Sequence, residues 1–336
     1  SLRTIVVIER IGTGLAGSRG SVSWENFLST QSGAPIPTES LDAEHPALIL
    51  YSSGTTGKSK VVIHTHGGAL AQTVKEIGFA FDCRENDTFF WATNIGWMMA
   101  PWEIIGALFF GATLVIYEGT HLYPTPHRMF ELVEKHGITI FGFTPTAMRG
   151  LARLGEDFSK FDLTKLRILG STGEVLDPQT WQWYFKTFGR ERCPIMNISG
   201  GTELIGCLLS PLPVMPQKVG ALGGPGLGMA IDIVDDVGNS VRREPGFLVC
   251  RKPFPSMTRG FLNNPELYLR TYFPKGPNLW VHGDRAEIDK DGFWFILGRT
   301  DDLIVRGGVK HAPAKIEKAL YCAAAMERWP TRKAPD

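Results

Sequence analysis

The chain has 336 residues, 43% of them hydrophobic, enough to bury a large core and to form more than one structural unit. With 35 basic and 34 acidic side chains, its formal net charge of +1 argues against bulk electrostatic attraction to nucleic acid or to an anionic membrane, so partners must be recognised locally. Cys83, Cys193, Cys207, Cys250 and Cys322 are far apart with no C-x-x-C pair, which argues against a zinc site or a disulfide framework and for reduced thiols in a cytoplasmic protein.

Residues 4–8, T-I-V-V-I, read as a strand and lack a signal-peptide pattern; a chain that opens inside a strand is expected to begin partway through a domain. Residues 12–17 fit G-x-G-x-x-G, but a Ser/Arg/Gly loop, a short helix over 24–28 and a Ser/Gly/Pro stretch to Pro37 follow. A dinucleotide fold needs a long helix and a second strand there, so a surface connector is the better reading.

Residues 51–60, Y-S-S-G-T-T-G-K-S-K, lie between the apolar runs 47–50 and 61–63 and predict strand, loop, strand. Gly54 and Gly57 let backbone N–H groups turn toward an anion, Ser52, Ser53, Thr55 and Thr56 add hydroxyl donors, and Lys58 and Lys60 add charge. That chemistry suits a nucleoside triphosphate. A Walker A loop would need glycine at position 52 and a helix after the lysine; this chain has Ser52 and β-branched residues. His64 and His66, at the end of the second strand, have no carboxylate or cysteine at metal-ligand spacing.

Beyond the loop the pattern alternates: helix over 67–79, strand over 88–91, helix over 102–110, strand over 112–117, helix over 127–136, strand over 138–143, strand over 166–169 and helix over 179–188. This is α/β architecture with buried strands. The longest apolar run, 104–117, contains two glycines and falls short of the roughly 20 residues a membrane span needs. From Gly220 onward glycines and prolines multiply and short strands at 231–234, 246–250 and 293–296 suggest an antiparallel subdomain. The expected division is a large domain over 1–298, a hinge over 299–302 and a second unit over 303–336 with a strand at 303–306, a Gly307-Gly308 turn and a helix over 313–320.

Over residues 46–320 the motifs resemble, in order and spacing, those of the adenylate-forming superfamily, most closely the AMP-forming acetyl-CoA synthetase branch. The matching segments are 51–60, Gly96-Trp97, Thr144-Pro145-Thr146, G-S-T-G-E at 170–174, G-G-T-E at 200–203, His282-Gly283-Asp284 and G-R-T-D-D at 298–302. The resemblance implies a large ATP- and acyl-binding α/β domain with parallel and mixed sheets, a small antiparallel β subdomain and a C-terminal α+β lid of which only the start is present. It also implies an AMP-forming acyl-CoA synthetase, an acid-thiol ligase using ATP, Mg²⁺, a small carboxylic acid and coenzyme A. Two rival readings are an adenylation domain that loads a carrier protein and a non-catalytic nucleotide-binding module. Nothing in the sequence sets an oligomeric state.

Residue by residue, the resemblance implies that Thr202 and Glu203 hold magnesium and phosphate, with Glu203 the metal ligand, although a T-E pair alone more often starts a helix. Asp284 and Arg299 would contact the ribose, and Gly173 and Glu174 would pass over the adenine. Asn197 would accept from its exocyclic amine, and Ser199 stands where an aromatic ring usually stacks. Trp97, Met98, Met99, Thr172 and Gly200 would line the acyl pocket, and Thr144, Gly307 and Gly308 a pantetheine tunnel. Asp301 matches the hinge about which the lid turns, and Lys310 an arginine that usually reaches the phosphates, which keeps charge but loses the planar fork. The lid's adenylating lysine has only a partial echo, P-T-R-K at 330–333, so adenylation by this chain is expected to be impaired. Acetate-specific relatives carry tryptophan at the position of Gly200. Its loss is expected to open the pocket to more methylenes, each worth about 0.8 kcal/mol when buried, so the acyl group is expected to exceed acetyl.

Overall fold

The computed structural model describes residues 4–10, 12, 14, 20–30, 33–52, 60–300, 304–306 and 309–311. By its contacts the chain forms two compact units, 1–41 and 42–336. In the first, β1 (Ile5–Val7) pairs in parallel with β2 (Ser21–Ser23), and α1 (Trp24–Ser29) follows, capped by the Ser23 hydroxyl, which accepts from Asn26 N at 3.1 Å. Among the described residues between β1 and β2 there is no crossover helix.

The second unit opens with an antiparallel pair, β3 (Pro46–Ser52) and β4 (Lys60–Thr65). Their register sets Ser52 opposite Lys60, so both ends of the predicted phosphate loop are anchored in strands; residues 53–59, with Ser53, Gly54, Thr55, Thr56, Gly57 and Lys58, lie outside the described residues. α2 (His66–Phe79) starts directly from β4 because Thr65 caps it, its hydroxyl accepting from Gly68 N at 3.2 Å.

A five-stranded parallel sheet follows in the order β6-β5-β7-β8-β9, made of β5 (Thr88–Trp91), β6 (Thr113–Leu114), β7 (Ile140–Phe143), β8 (Ile168–Ser171) and β9 (Ile195–Asn197). β7, β8 and β9 are buried throughout, as continuous apolar strands covered on both faces must be. Connecting them are α3 (Met99–Phe109), α4 (Arg128–His136), α5 (Pro145–Leu154) and α6 (Pro178–Thr187). α5 and α6 open on a capping Thr144 or Asp177 followed by proline, whose missing N–H costs nothing at that position. The strand expected over 112–117 shortens to two residues because β6 is the sheet edge and pairs only with the four-residue β5. In β7, a β-carbon on Gly142 would lie 2.1 Å from the Trp91 indole, so glycine is what lets that ring pack across the strand.

After β9 the chain makes a short antiparallel pair, β10 (Ser199–Gly201) and β11 (Gly206–Leu209), joined through a single 3₁₀ turn at Thr202–Leu204. The expected antiparallel subdomain is the four-stranded sheet β12-β13-β14-β15, formed by β12 (Ile231–Val234), β13 (Gly246–Cys250), β14 (Trp280–Ile288) and β15 (Trp294–Arg299), with α7 (Pro265–Tyr272) packed against β14. β16 (Ile304–Arg306) and β17 (Val309–His311) form a hairpin. Asp301, Gly307, Gly308 and the helix expected over 313–320 lie outside the described residues.

Cys83, Cys193, Cys207 and Cys250 are buried thiols, and burial pushes Cys83 up to about 12. Among the described residues no helix is long and apolar enough to cross a membrane.

Candidate functional site

A cavity of about 440 Å³ opens at the carboxyl ends of the parallel strands, where open α/β sheets place their ligands. The chain leaving β5 supplies Trp97, Met98 and Met99; that leaving β8 supplies Thr172, Gly173 and Glu174; that leaving β9 supplies Asn197, Ser199 and Gly200, with Thr202 just beyond. Asp284 and Arg299 close the opposite wall from β14 and β15. Twelve expected site residues, from three strand ends and a separate sheet, therefore share one cavity.

Asp284 and Arg299 are direct register partners, with Arg299 Nη1 3.4 Å from Asp284 Oδ1. His282 Nε2 lies 3.2 Å from the other carboxylate oxygen and 3.1 Å from the Gly200 carbonyl. Burial alone would raise the Asp284 carboxyl, but His282 and Arg299 outweigh it and hold the group below its usual range. Asn197 donates its amide N–H bonds to the carbonyls of Gly220 at 3.3 Å and Ala221 at 3.2 Å. Glu174 is gripped from α5, by Thr146 Oγ1 at 2.7 Å and by Arg149, which also pairs with Asp177 at 3.4 Å. Thr172 donates to the Ile198 carbonyl at 2.8 Å, and Trp97 lies against Gly173.

Glu203 does not line the cavity. It is buried behind Thr202 and accepts a hydrogen bond from the Tyr272 hydroxyl. The T-E pair opens a helical turn, as such pairs often do, and Thr202 faces the cavity. His64 Nε2 meets the Thr202 carbonyl at 2.7 Å, and burial lowers the imidazole below its usual value, so His64 is a neutral brace for the turn. Thr258 N adds a bond to the Glu203 carbonyl at 3.0 Å. Lys60 sits outside the cavity with its ammonium 5.3 Å from the Tyr272 ring centre and 5.8 Å from that of Phe261. The Ser52 hydroxyl, next to the loop, is buried with no hydrogen-bond partner among the described residues. Lys310 falls in β17, where only the strand is described.

Thr144, expected in a tunnel wall, uses its hydroxyl to cap the N-terminus of α5, accepting from Ala147 N. Gly200, expected to matter as a missing side chain, lines the cavity with main chain: a β-carbon there would lie 1.7 Å from the Gly206 carbonyl oxygen and 2.7 Å from Cys207 Cα. Its open direction faces β11, not the ligand space.

Sequence reading passed over the buried carboxyls that hold this frame. Glu76 on α2 accepts from Cys207 N at 2.6 Å, Trp102 Nε1 at 2.7 Å and Gln72 Nε2 at 2.5 Å, pinning β11 beside Gly206, and burial raises its carboxyl. Glu103, one turn into α3, accepts from Trp91 N at 2.8 Å and so ties α3 to the end of β5. Burial lifts Glu103 from 4.5 to about 8. A carboxyl raised on folding stabilises the fold fully below its unfolded value and loses that contribution as pH rises through the folded one. Glu103→Gln is therefore expected to match the parent near pH 5 and to exceed it by about 2 kcal/mol at pH 8.5, after relaxation around a buried charge is allowed for. Denaturant unfolding at the two pH values checks this; parallel pH slopes would refute it.

The profile of the family described as AMP-binding enzyme matches residues 4–262. The chain belongs to that family. The acetyl-coenzyme A synthetase of Pasteurella multocida is 37% identical over 329 residues, covering 96% of this chain and 50% of that protein. Acetoacetyl-CoA synthetase from Streptomyces lividans superposes with a TM-score of 0.85 at 32% identity, over 96% of this chain and 49% of that one. The anthranilate CoA ligase AuaEII in complex with anthranoyl-AMP gives 0.81 at 25% identity, over 95% and 58%. The chain spans about half the length of the curated relatives it matches. The fold is thus that of the adenylate-forming enzymes, and the AMP-binding match covers the cavity residues from Trp97 to Leu222.

Proposed function

We propose that this chain forms the ATP- and acyl-binding part of an AMP-forming acyl-CoA synthetase whose acid is larger than acetate. The observation that carries the reading is the single cavity at the strand ends, with the ionised Asp284 on one side and the apolar Trp97, Met98 and Met99 on another. One wall suits a nucleoside and the other an acyl chain.

In this reading a carboxylate oxygen attacks the α-phosphorus of ATP, pyrophosphate leaves, and the thiol of coenzyme A then displaces AMP from the acyl carbonyl. Asp284 accepts from the two ribose hydroxyls, with Arg299 beside it. With its nitrogen bonded to main-chain carbonyls, Asn197 offers its amide oxygen to the adenine amine. Thr202, Lys60 and the 51–60 loop offset phosphate charge, and Glu203 would help hold the Mg²⁺ that arrives with ATP as part of the substrate. Among the described residues no cluster of three metal-binding side chains supplies a separate resident site. Glu174, held by Thr146 and Arg149, keeps the loop beside the base in place. Lys310 would reach the phosphates, the hinge at Asp301 would turn the lid between the two half-reactions, and Gly307 and Gly308 would wall the pantetheine tunnel.

For the acyl group, the support is the apolar wall of adaptable methionines and the likeness to a synthetase of a four-carbon keto acid. We take short acids from propionate upward, acetoacetate among them, as the substrate class. Pyrophosphate release from the full-length protein with ATP, Mg²⁺ and a panel of acids tests this. Acetoacetate or butyrate should show a higher kcat/KM than acetate; acetate at the top of the panel would sink the size assignment. No release with any acid would favour a non-catalytic module, and thioester formation on a carrier protein but not on coenzyme A would favour a loading domain.

A further inference from the structure

Tyr272, the last residue of α7, is 3% exposed and touches two of the groups assigned to the phosphates. Its hydroxyl donates to Glu203 Oε1, and the Lys60 ammonium lies over its ring. Trp280 stacks on the same ring at 4.9 Å and 17°, and His282 stacks on Trp280 at 5.5 Å and 26°. His282 in turn contacts Asp284, so a column of three rings runs from the nucleoside wall to the phosphate side. The second Glu203 oxygen, Oε2, faces Gly201, 2.9 Å from where a β-carbon would sit.

A carboxylate at the end of three rotatable bonds samples several orientations, whereas Mg²⁺ demands near-ideal octahedral geometry. A hydroxyl fixed to one oxygen removes that freedom and leaves the other oxygen aimed. Tyr272 is well suited to this because its ring is clamped by Trp280 and by Phe261, whose centre is 5.9 Å away. Lys60 above the ring fixes which side of the site the hydroxyl serves, the end of the phosphate loop.

We propose that Tyr272 is a positioning residue for MgATP: its hydroxyl orients the Glu203 carboxylate so that the free oxygen meets the metal bound to the phosphates. This rests on the nucleotide reading above. The two are separated by calorimetric titration of the parent chain, Tyr272→Phe, Glu203→Gln and the double variant, each with MgATP and with ATP in EDTA. Tyr272→Phe keeps the ring, its stacking and the surface under Lys60, and removes only the hydroxyl. It should weaken MgATP roughly tenfold, the scale for losing a hydrogen bond that orients a metal ligand, while leaving metal-free ATP binding where it was; the melting temperature should fall, because a buried Glu203 oxygen loses its donor. In the Glu203→Gln background the same change should have no further effect on MgATP. The proposal is overturned if Tyr272→Phe binds MgATP like the parent, if it weakens metal-free ATP equally, or if its effect persists without the Glu203 charge. A parent that binds MgATP no better than metal-free ATP overturns the metal-nucleotide reading itself, and this proposal with it.

Discussion

Asp284→Ala is expected to abolish useful nucleotide binding and to destabilise the protein at the same time. The carboxylate is 6% exposed, faces the cavity and is held ionised by His282 and Arg299, so it presents charged acceptors without needing to reorganise. A hydrogen bond to a charged acceptor is worth about 1.5–3 kcal/mol, so losing two to the ribose hydroxyls lowers ATP affinity by on the order of a hundredfold or more. Truncation also strips the partner from two donors. Breaking a fully buried pair costs about 3–5 kcal/mol, and because the Arg299 side chain is half exposed about 2–3 kcal/mol is expected here. The sign of the pH dependence follows from the lowered value. Asp284 stabilises the parent above its unfolded pKa and loses that contribution as pH falls through the folded one, so the gap between parent and variant should narrow in acid. Asp284→Asn keeps the volume and one acceptor and should fall between. Calorimetry with MgATP and thermal melts at pH 7 and pH 4 check both halves; an alanine variant that binds MgATP like the parent refutes the ribose assignment.

Much of this site was legible in the sequence, for a physical reason. Strands buried on both faces must be short apolar runs, and loops at their carboxyl ends must carry whatever meets the ligand. T-F-F-W, I-F-G-F and I-L-G-S announce such strands, and residues after the first and the third of them line the cavity. Asp284 and Arg299, expected to contact the same ribose, prove to be cross-strand partners, which residue type alone cannot show because register depends on a turn five residues long.

What was missed depends on contacts between distant segments. Tyr272 meets Glu203 across 69 positions, and Glu76 meets Cys207 across 131. Local pattern leaves no trace of either. Lys75-Glu76 reads as a solvated pair on a helix, and only the packing of α2 under β11 turns the carboxyl inward to collect three donors. Tyr272 reads as one more core aromatic, and its environment is mostly that: Trp280, Phe261 and Tyr268 surround the ring. Its single polar atom carries the information.

Gly200 gives the other large expected effect, and the structure changes its sense. If a tryptophan at this position simply filled the floor of an acyl pocket, Gly200→Ala would be nearly neutral and Gly200→Trp would shrink the pocket toward acetate. The β10–β11 pairing opposes both. A β-carbon at 1.7 Å from the Gly206 oxygen and 2.7 Å from Cys207 Cα meets main chain on both counts, and main chain cannot swing away as a flexible side chain can. β11 is moreover pinned from behind by Glu76 at Cys207 N, so the strands cannot part without breaking a buried hydrogen bond. Overpacking costs about 1–3 kcal/mol where side chains can give, and breaking that bond adds about 1–3 kcal/mol, so Gly200→Ala is expected to lose about 3 kcal/mol or more. Gly200→Trp should lose at least as much and fail to gain acetate activity. Chemical denaturation of the alanine variant and the acid panel on the tryptophan variant check these outcomes. A stable Gly200→Trp protein that prefers acetate would show that β10 and β11 rearrange freely, and the pocket would then be set by the side chain at this position. The expected result places the width of the pocket in the strand pairing, so acyl selectivity should respond to Met98 and Met99, which line the cavity, before it responds to residue 200.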